Sequence, residues 1–176
     1  ELESELHWMA AVSKWGLSVP KPIPSLDGAL LHVADGVHVD LLTWLDGETL
    51  ASALQNANTP ARASVFQELG VQMAKLHDAT DAWPEASACR RPSWDREGLI
   101  GPDPLWDRFW ENPGLSASDF DILSALRDRA QNDWPRLTSD LDYGLIHADL
   151  VGENVLVDEG TMHFIDFDDS GFGYRL

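Results

Sequence analysis

Apolar residues recur every three or four positions in three stretches of the chain, which is the period of one face of an α-helix. We predict helices over residues 1–15, 61–77 and 116–133, the first ending at Gly16 and the last capped by Ser116. The predicted inward faces are Leu2, Leu6, Met9 and Val12 in the first helix, Val65, Leu69, Met73 and Leu76 in the second, and Phe120, Leu123, Leu126 and Ala130 in the third.

Shorter apolar runs between turn residues predict β-strands. Residues 29–33 and 37–43 flank the pair Asp35-Gly36, so we expect an antiparallel hairpin there. The last third of the chain returns to strands, predicted over residues 144–147, 155–157 and 161–165. Between these regions, residues 81–115 are rich in Pro, Gly and Trp, and we predict a packed excursion with short helical turns.

Length and composition suit a globular protein. The 176 residues, 44% of them hydrophobic, are enough for one domain or two small lobes. No apolar run is long enough to cross a bilayer, and the acidic start, Glu1 to Glu5, does not resemble a secretory signal. Cys89 is the single cysteine, which excludes an intrachain disulfide and suits a reducing compartment. We therefore expect a cytoplasmic location.

Charge narrows the range of partners. Acidic residues outnumber basic ones by 30 to 12, a formal net charge of −18. Such a chain repels nucleic-acid phosphates and anionic lipids, so we expect neither nucleic acid nor membrane as a partner. A cationic substrate is one interpretation of the charge, and a surface adapted for solubility is the other.

Polar residues cluster around a predicted hairpin near the C-terminus. Asp158-Glu159-Gly160 fits a three-residue loop, and the resulting register would pair Asn154 with Phe164. Because side chains alternate along strands, Asn154 and Asp166 would then share one face at the open end of the hairpin. Asp149 lies on the loop that leads into the first strand. The pattern predicts that the three side chains converge.

These residue types suit phosphoryl transfer. Two converging oxygen ligands, Asn154 and Asp166, are typical of Mg²⁺ sites, and a third carboxylate, Asp149, could accept a proton from a hydroxyl. The spacing D-x-x-x-x-N followed by a metal-binding Asp is that of the phosphoryl-transfer template. The alternative is structural, because Asp and Asn are also frequent at turns, where they bond their own backbone.

Two motifs resemble a known family. The segments His147 to Asn154 and Ile165 to Asp169 resemble the aminoglycoside phosphotransferase and choline kinase superfamily, and most closely its homoserine-kinase-type and spore-coat-kinase-like bacterial branch. Supporting stretches are Glu5–Met9, Val19–Ser25, Ala74–His77 and Arg91–Trp94. The resemblance implies an α+β, protein-kinase-like fold with two lobes, a mostly helical C-terminal lobe and short catalytic hairpins. Residues 1–46 would be the remnant of the nucleotide-binding lobe and 47–176 part of the catalytic lobe.

The resemblance also implies roles at the C-terminal motifs. Asp149 would be the catalytic base or would orient the hydroxyl, and His147 would brace the catalytic loop by hydrogen bonds. Asn154 and Asp166 would hold Mg²⁺, and Asp168 would assist at a second metal. The implied cofactors are ATP and Mg²⁺, and the implied partner is a small molecule with an acceptor hydroxyl.

Further roles are implied in the first part of the chain. The backbone of Thr43 and Leu45 would meet adenine at the hinge between lobes. Glu5 would pair with a strand lysine that clamps the ATP phosphates. That lysine and the phosphate-covering loop should precede residue 1, so we expect a chain truncated at both ends that is inactive by itself.

Other functions stay open at this point. A catalytically dead, kinase-like binding module is the main alternative, and a homodimer is conceivable for either. A protein kinase fits less well, because Asp-Phe-Asp stands at 166–168 where protein kinases have Asp-Phe-Gly. A metal hydrolase would use His147, Asp149, His163 and Asp166 as ligands, although the register above turns His163 away from Asp166.

The acceptor is weakly encoded. Residues 83–110 contain Trp83, Trp94, Trp106 and Trp110 together with Arg90, Arg91 and Arg96. The aromatic rings could hold an amine by cation–π contact, and the arginines could bind a carboxylate. Alternatively, the tryptophans pack a loop-rich excursion and the arginines lie on the surface.

Overall fold

The computed structural model describes residues 1–55, 57–138 and 140–175. Its helices are α1 (Leu2–Lys14), α2 (Leu50–Ala53), α3 (Thr59–Asp81), α4 (Arg96–Ile100) and α5 (Ala117–Thr138). Its strands are β1 (His32–Ala34), β2 (Val37–Val39), β3 (Glu48–Thr49), β4 (Ser93–Trp94), β5 (Asp142–Ile146), β6 (Val155–Asp158), β7 (Thr161–Phe164) and β8 (Gly171–Arg175). Short 3₁₀ turns at Ala86–Ala88 and Phe109–Glu111 lie in the predicted excursion.

The chain forms two compact units. The first unit comprises Glu1–Arg91 and Asp149–Ser170, and the second comprises Pro92–Ala148 and the residues from Gly171 onward. The first unit holds the β1–β2 hairpin and a sheet of strand order β3-β6-β7, and the second holds a sheet of order β4-β8-β5. The predicted boundary between residues 46 and 47 stays a prediction.

The first hairpin forms as predicted, with shorter strands. Ala34 pairs with Val37, and both loop residues have positive φ, 53° at Asp35 and 81° at Gly36, as a two-residue hairpin turn requires. The strands are shorter because the chain beyond β2 pairs elsewhere. The Thr43 N–H donates to the carbonyl of Lys21 at 3.0 Å, and a further main-chain bond joins residues 23 and 41.

The second hairpin forms in a different register from the one predicted. Asp158 pairs with Thr161, so Glu159-Gly160 is a two-residue loop rather than part of a three-residue one. Glu159 adopts φ of 45° and Gly160 of 84°. The sequence concealed this turn because the left-handed conformation is unfavourable for a residue with a Cβ other than Asn or Asp.

The shift in register changes which residues share a face. Val155 lies opposite Phe164, and Val157 lies opposite Met162. Since directly opposite residues point the same way, these four form the buried face. The expectation that alternation places Asn154, Phe164 and Asp166 on one strand face is therefore wrong.

The three long helices form close to their predicted positions. Helix α3 starts earlier than predicted because the side chain of Asn58 caps it, accepting from the N–H of Ala61, with Pro60 in its first turn. Helix α5 is capped by Ser116, whose Oγ accepts from the N–H of Asp119 at 3.2 Å. No helix in residues 1–55, 57–138 and 140–175 is long and apolar enough to cross a membrane.

The inward face of α5 differs from the prediction. Phe120 and Leu126 are 45% and 54% exposed. Arg127 of α5 instead contacts other residues of the second unit. Its guanidinium carbon lies 4.2 Å from the ring centre of Trp110, and its Nε donates to the carbonyl of Ile100 at 2.9 Å. Leu123 and Ala130 of the predicted inward face are half-buried, as Arg127 is, so the prediction is wrong at Phe120 and Leu126.

The core of the first unit lies between α1, the end of α3 and the β6–β7 hairpin. Trp8 is 1% exposed, and its ring contacts Phe167 edge to face with centroids 5.3 Å apart. The indole Nε1–H donates to Thr80 Oγ1 at 2.8 Å, and that hydroxyl donates to the carbonyl of Leu76 at 2.7 Å. The remaining fully buried side chains of this core include Leu6, Met9, Val12, Val19, Val155 and Phe164.

We predict that Thr80→Val destabilises the protein by about 1–3 kcal/mol, because the buried indole N–H of Trp8 loses its acceptor. Thr80→Ser keeps the hydroxyl and should cost about 0.8 kcal/mol for the lost methyl group. Urea unfolding followed by tryptophan fluorescence measures both. A Thr80→Val protein as stable as Thr80→Ser would contradict this account of the core.

Candidate active site

The side chain of Asn154 closes the loop that begins at Asp149. Its Nδ2 donates to the carboxylate Oδ2 of Asp149 at 2.7 Å and to the backbone carbonyl of Asp149 at 3.0 Å. Both neighbours are acceptors, so only the amide nitrogen can face them. These two bonds therefore fix the orientation of the amide, and neither involves Asn154 Oδ1 or the second carboxylate oxygen of Asp149.

Asp166 is tied to Asn154 through the backbone. The N–H of Ile165 donates to the carbonyl of Asn154 at 3.0 Å, which extends the hairpin ladder by one bond. Asp166 is the next residue along the chain and is exposed. This bond joins the main chain of Asn154 to the residue before Asp166, and the convergence of the Asn154 and Asp166 side chains stays a prediction.

Two residues of the motifs have a left-handed backbone. Ala148, which precedes Asp149, has φ of 67°, and Asp166 itself has φ of 64°. This conformation costs roughly 1–2 kcal/mol for a residue such as Ala148 and less for an Asp, and such strain concentrates at functional sites. Neither position is a glycine, so the residue types do not predict the left-handed conformation.

The residues fit a small, hard cation. Mg²⁺ is typically held by one or two carboxylates together with waters and phosphate oxygens, and the available groups are an amide oxygen of Asn154 and the carboxylate of Asp166. Within residues 1–55, 57–138 and 140–175, no cluster of three or more His, Cys, Asp or Glu side chains could hold a metal. A Mg²⁺ site of the kind proposed does not need such a cluster. The two residues stay candidate ligands.

Asp168 lies near Arg91 and Glu5. Its carbonyl accepts a hydrogen bond from Arg91, and its carboxylate is close enough to Glu5 to raise the pKa of that side chain. The assignment of Asp168 to a second metal stays a prediction.

Glu5 is buried beside an arginine. Its Oε2 lies 3.1 Å from Nη1 of Arg91, and the two side chains are 8% and 5% exposed. Burial raises the pKa of Glu5, the positive charge of Arg91 opposes that rise, and the carboxylates of Asp168 and Asp40 add to it. Sequence reasoning missed this partner and left Arg91 as a surface or acceptor-binding residue, because a buried role depends on tertiary contacts.

The two histidines of the motif region lie in different units. His147 follows β5 in the second unit and is 2% exposed. Its role in bracing the catalytic loop stays a prediction. His163 lies in β7 of the first unit, where its Nδ1 is 2.6 Å from the hydroxyl of Ser18. This contact gives His163 a packing role, and the metal-hydrolase interpretation gains no support.

The predicted hinge lines a pocket of the first unit. The pocket measures about 600 Å³ and is lined by Pro20, Leu42, Thr43, Trp44, Leu45, Asp46, Gly47, Leu156 and Ile165. The N–H of Thr43 donates to the carbonyl of Lys21 at 3.0 Å and is therefore engaged within the protein. Gly47 has φ of 137°, and a Cβ there would come within 3.0 Å of the carbonyl oxygen of Val157. Only glycine therefore allows the main chain at position 47 to lie this close to β6.

The four tryptophans of the excursion have different surroundings. Trp83 lines a pocket of about 530 Å³ in the first unit, whereas Trp94 and Trp106 line one of about 390 Å³ in the second. Trp110 is buried and covered by Arg127. The binding of an amine by these aromatic rings stays a prediction.

Known proteins match the chain along its whole length. Homoserine kinase of Chelativorans sp. (strain BNC1) is 32% identical over 172 residues, which is 92% of this chain and 46% of that protein. Amicoumacin kinase of Bacillus subtilis (strain 168) is 27% identical over 173 residues, 97% of this chain and 48% of that protein. The chain thus spans about half the length of these relatives.

Solved structures share the fold. A microcompartment-associated aminopropanol kinase superposes with a TM-score of 0.79 at 34% identity, covering 99% of this chain and 55% of that one. An amicoumacin kinase in complex with AMP-PNP and Ca²⁺ gives a TM-score of 0.70 at 22% identity, covering 98% and 49%. These neighbours confirm the predicted protein-kinase-like fold.

A model of one family accounts for the entire chain. The description of that family is phosphotransferase enzyme family, abbreviated APH, and its model matches residues 1–176. This agrees with the motifs around Asp149 and Asp166 and with the superposed kinases. The chain belongs to the APH phosphotransferase enzyme family.

Proposed function

We propose that the protein transfers the γ-phosphate of ATP to a hydroxyl group of a small molecule. The observation that carries the proposal is the pair of hydrogen bonds from Asn154 Nδ2 to Asp149, which fixes a carboxylate and an amide oxygen side by side. Family membership and the kinase names of its relatives support the same reaction class.

In the proposed reaction, Asp149 acts on the acceptor. Its carboxylate orients the hydroxyl and takes its proton, while the hydroxyl oxygen bonds to the γ-phosphorus and the bond from that phosphorus to the β–γ bridging oxygen breaks. ADP leaves with the electron pair of the broken bond. The bond from Asn154 keeps the carboxylate in one orientation, which is the positioning contribution that such catalysis mainly needs.

Asn154 and Asp166 are the proposed holders of Mg²⁺. When bound there, the ion would neutralise charge on the phosphates, which an acidic chain otherwise repels. The left-handed turn at Asp166 and the ladder bond at Ile165 orient the carboxylate-bearing end of the hairpin. AMP-PNP and Ca²⁺ in the amicoumacin kinase complex support a nucleotide with a divalent cation in this fold.

The hinge pocket is the proposed adenine site. Adenine presents a donor amino group beside an acceptor ring nitrogen, and the carbonyl of Thr43 with the main chain of Leu45 could match them. Leu42, Leu156 and Ile165 line the same pocket and would contact the apolar faces of the ring.

The proposed acceptor is a small amino alcohol or hydroxy amino acid. Homoserine and aminopropanol, the compounds that give two of the relatives their names, both carry an amino group and a hydroxyl. The net charge of −18 would also favour a cationic acceptor over an anionic one.

We predict that the full-length gene product releases ADP from Mg-ATP with one acceptor of a panel of homoserine, aminopropanol, ethanolamine, choline and aminoglycosides. Asp149→Asn should lower kcat by roughly 10²–10⁴-fold, because it removes the group that accepts the proton. Asp158→Asn, at the exposed end of the β6–β7 hairpin, is the charge-matched control. Activity that survives Asp149→Asn would refute the assigned role, and a wild-type protein that binds Mg-ATP tightly without turnover on any acceptor would favour a binding module.

We also predict that Leu156→Ala raises the KM for ATP about tenfold with little change in kcat, since a contact to adenine binds ground and transition states alike. Val157→Ala, on the opposite face of β6, should leave that KM unchanged. Steady-state kinetics of the full-length protein measures both variants. Equal effects of the two substitutions on KM would show that the hinge pocket does not bind ATP.

A further inference from the structure

Arg91 is a buried arginine whose donors are nearly all engaged. Its side chain is 5% exposed. Nε donates to the carbonyl of Ser170 at 2.7 Å, Nη1 donates to Glu5 Oε2 at 3.1 Å, and Nη2 donates to the carbonyl of Phe167 at 3.0 Å and to that of Asp168. An acceptor carboxylate would need a free pair of parallel donors on this guanidinium. With four of its bonds committed inside the protein, Arg91 has no such pair to offer.

The three carbonyls belong to the turn that follows Asp166. That turn is closed by a bond from the N–H of Ser170 to the carbonyl of Phe167 at 3.0 Å. A planar guanidinium presents its donors in a rigid fork, so it fixes the three carbonyls relative to one another. Asp166 is therefore held from both sides along the chain, by the ladder bond of Ile165 before it and by Arg91 after it.

The same guanidinium joins this turn to α1. Its partner there is the buried carboxylate of Glu5, which has the charges of Asp168 and Asp40 near it. A buried carboxylate without a cation is strongly unfavourable. The charge of Arg91 lets these acidic groups approach one another, and its geometry decides where the turn lies relative to α1.

We propose that Arg91 is a positioning residue for the divalent-cation site: by binding the carbonyls of residues 167, 168 and 170 and the carboxylate of Glu5, it holds Asp166 in the backbone conformation that presents its carboxylate to the metal. The proposal rests on the proposed function, because it takes Asp166 as a cation ligand. Arg91 touches neither substrate nor metal, and it acts through the turn.

The test is the affinity of the full-length protein for Mn²⁺ in the presence of ADP, measured by electron paramagnetic resonance of the free ion, which does not depend on turnover. Arg91→Met should weaken Mn²⁺ binding at least tenfold, while the affinity for ADP without metal changes less than twofold. Arg91→Lys keeps the charge but loses the fork, and we expect an intermediate loss. Arg90→Met, which removes the neighbouring exposed arginine, should bind Mn²⁺ like the wild type.

A double variant separates the two roles of the guanidinium and protects the test against misfolding. Arg91→Met combined with Glu5→Gln leaves no unpaired buried charge, so its fold, checked by near-ultraviolet circular dichroism, should resemble that of the wild type. If the carbonyl contacts position Asp166, the double variant still binds Mn²⁺ at least tenfold more weakly. Recovery of wild-type affinity would show that only charge compensation mattered and would overturn the proposal.

Two further outcomes distinguish failure of the role of Arg91 from failure of the proposed cation site. Wild-type protein that binds Mn²⁺-ADP, with folded Arg91 variants that bind it equally well, would refute the role of Arg91 and leave the proposed function intact. Wild-type protein that binds no divalent cation with ADP would refute the cation site of the proposed function, and the role of Arg91 would fall with it.

Discussion

The side chain and backbone of Asn154 make the interactions on which the candidate site depends. The amide nitrogen binds Asp149 twice, which closes the loop and fixes its carboxylate. The backbone carbonyl binds the N–H of Ile165, which fixes the strand end that leads to Asp166. One buried residue thereby orients the proposed proton acceptor and is bonded to the strand end that leads to Asp166. Asparagine suits this task because its amide offers donors and an acceptor at the same carbon.

The second constraint is electrostatic. A chain with a net charge of −18 places the carboxylates of Asp168 and Asp40 near that of Glu5 in the first unit. Repulsion among these carboxylates is offset by Arg91, and in the proposed reaction a divalent cation would be bound by Asp166, two residues before Asp168. The acidic composition thus has a consequence beyond solubility, since it makes the site dependent on its few positive charges.

The sequence predicted the fold class and the long helices because the responsible signals are local. Helical periodicity located α1, α3 and α5 to within a few residues, and the spacing of Asp149, Asn154 and Asp166 identified the loop and hairpin that carry them. Errors arose where several conformations were locally acceptable. The predicted register of β6 and β7 was wrong because Glu159 adopts a left-handed conformation that its side chain disfavours. The predicted inward face of α5 was partly wrong because Arg127 packs on the ring of Trp110.

Other features have no local signal at all. The burial of Arg91 depends on carbonyls that lie 76 to 79 residues away in the chain. Long-range contacts of this kind are invisible to periodicity, and composition made a surface arginine the more ordinary expectation. The sequence therefore identified candidate residues for the site, whereas the structure was needed to find the contacts that position them.

The central claim is that Asn154 and Asp166 jointly hold a cation beside Asp149. The most direct measurement is a crystal structure of the full-length protein with ADP and Mn²⁺, with the ion located by its anomalous scattering. The account predicts a peak bonded to Asn154 Oδ1 and to the carboxylate of Asp166, with the Asn154 nitrogen still donating to Asp149. A peak bonded to neither residue, or an Asn154 amide turned away from Asp149, would contradict it.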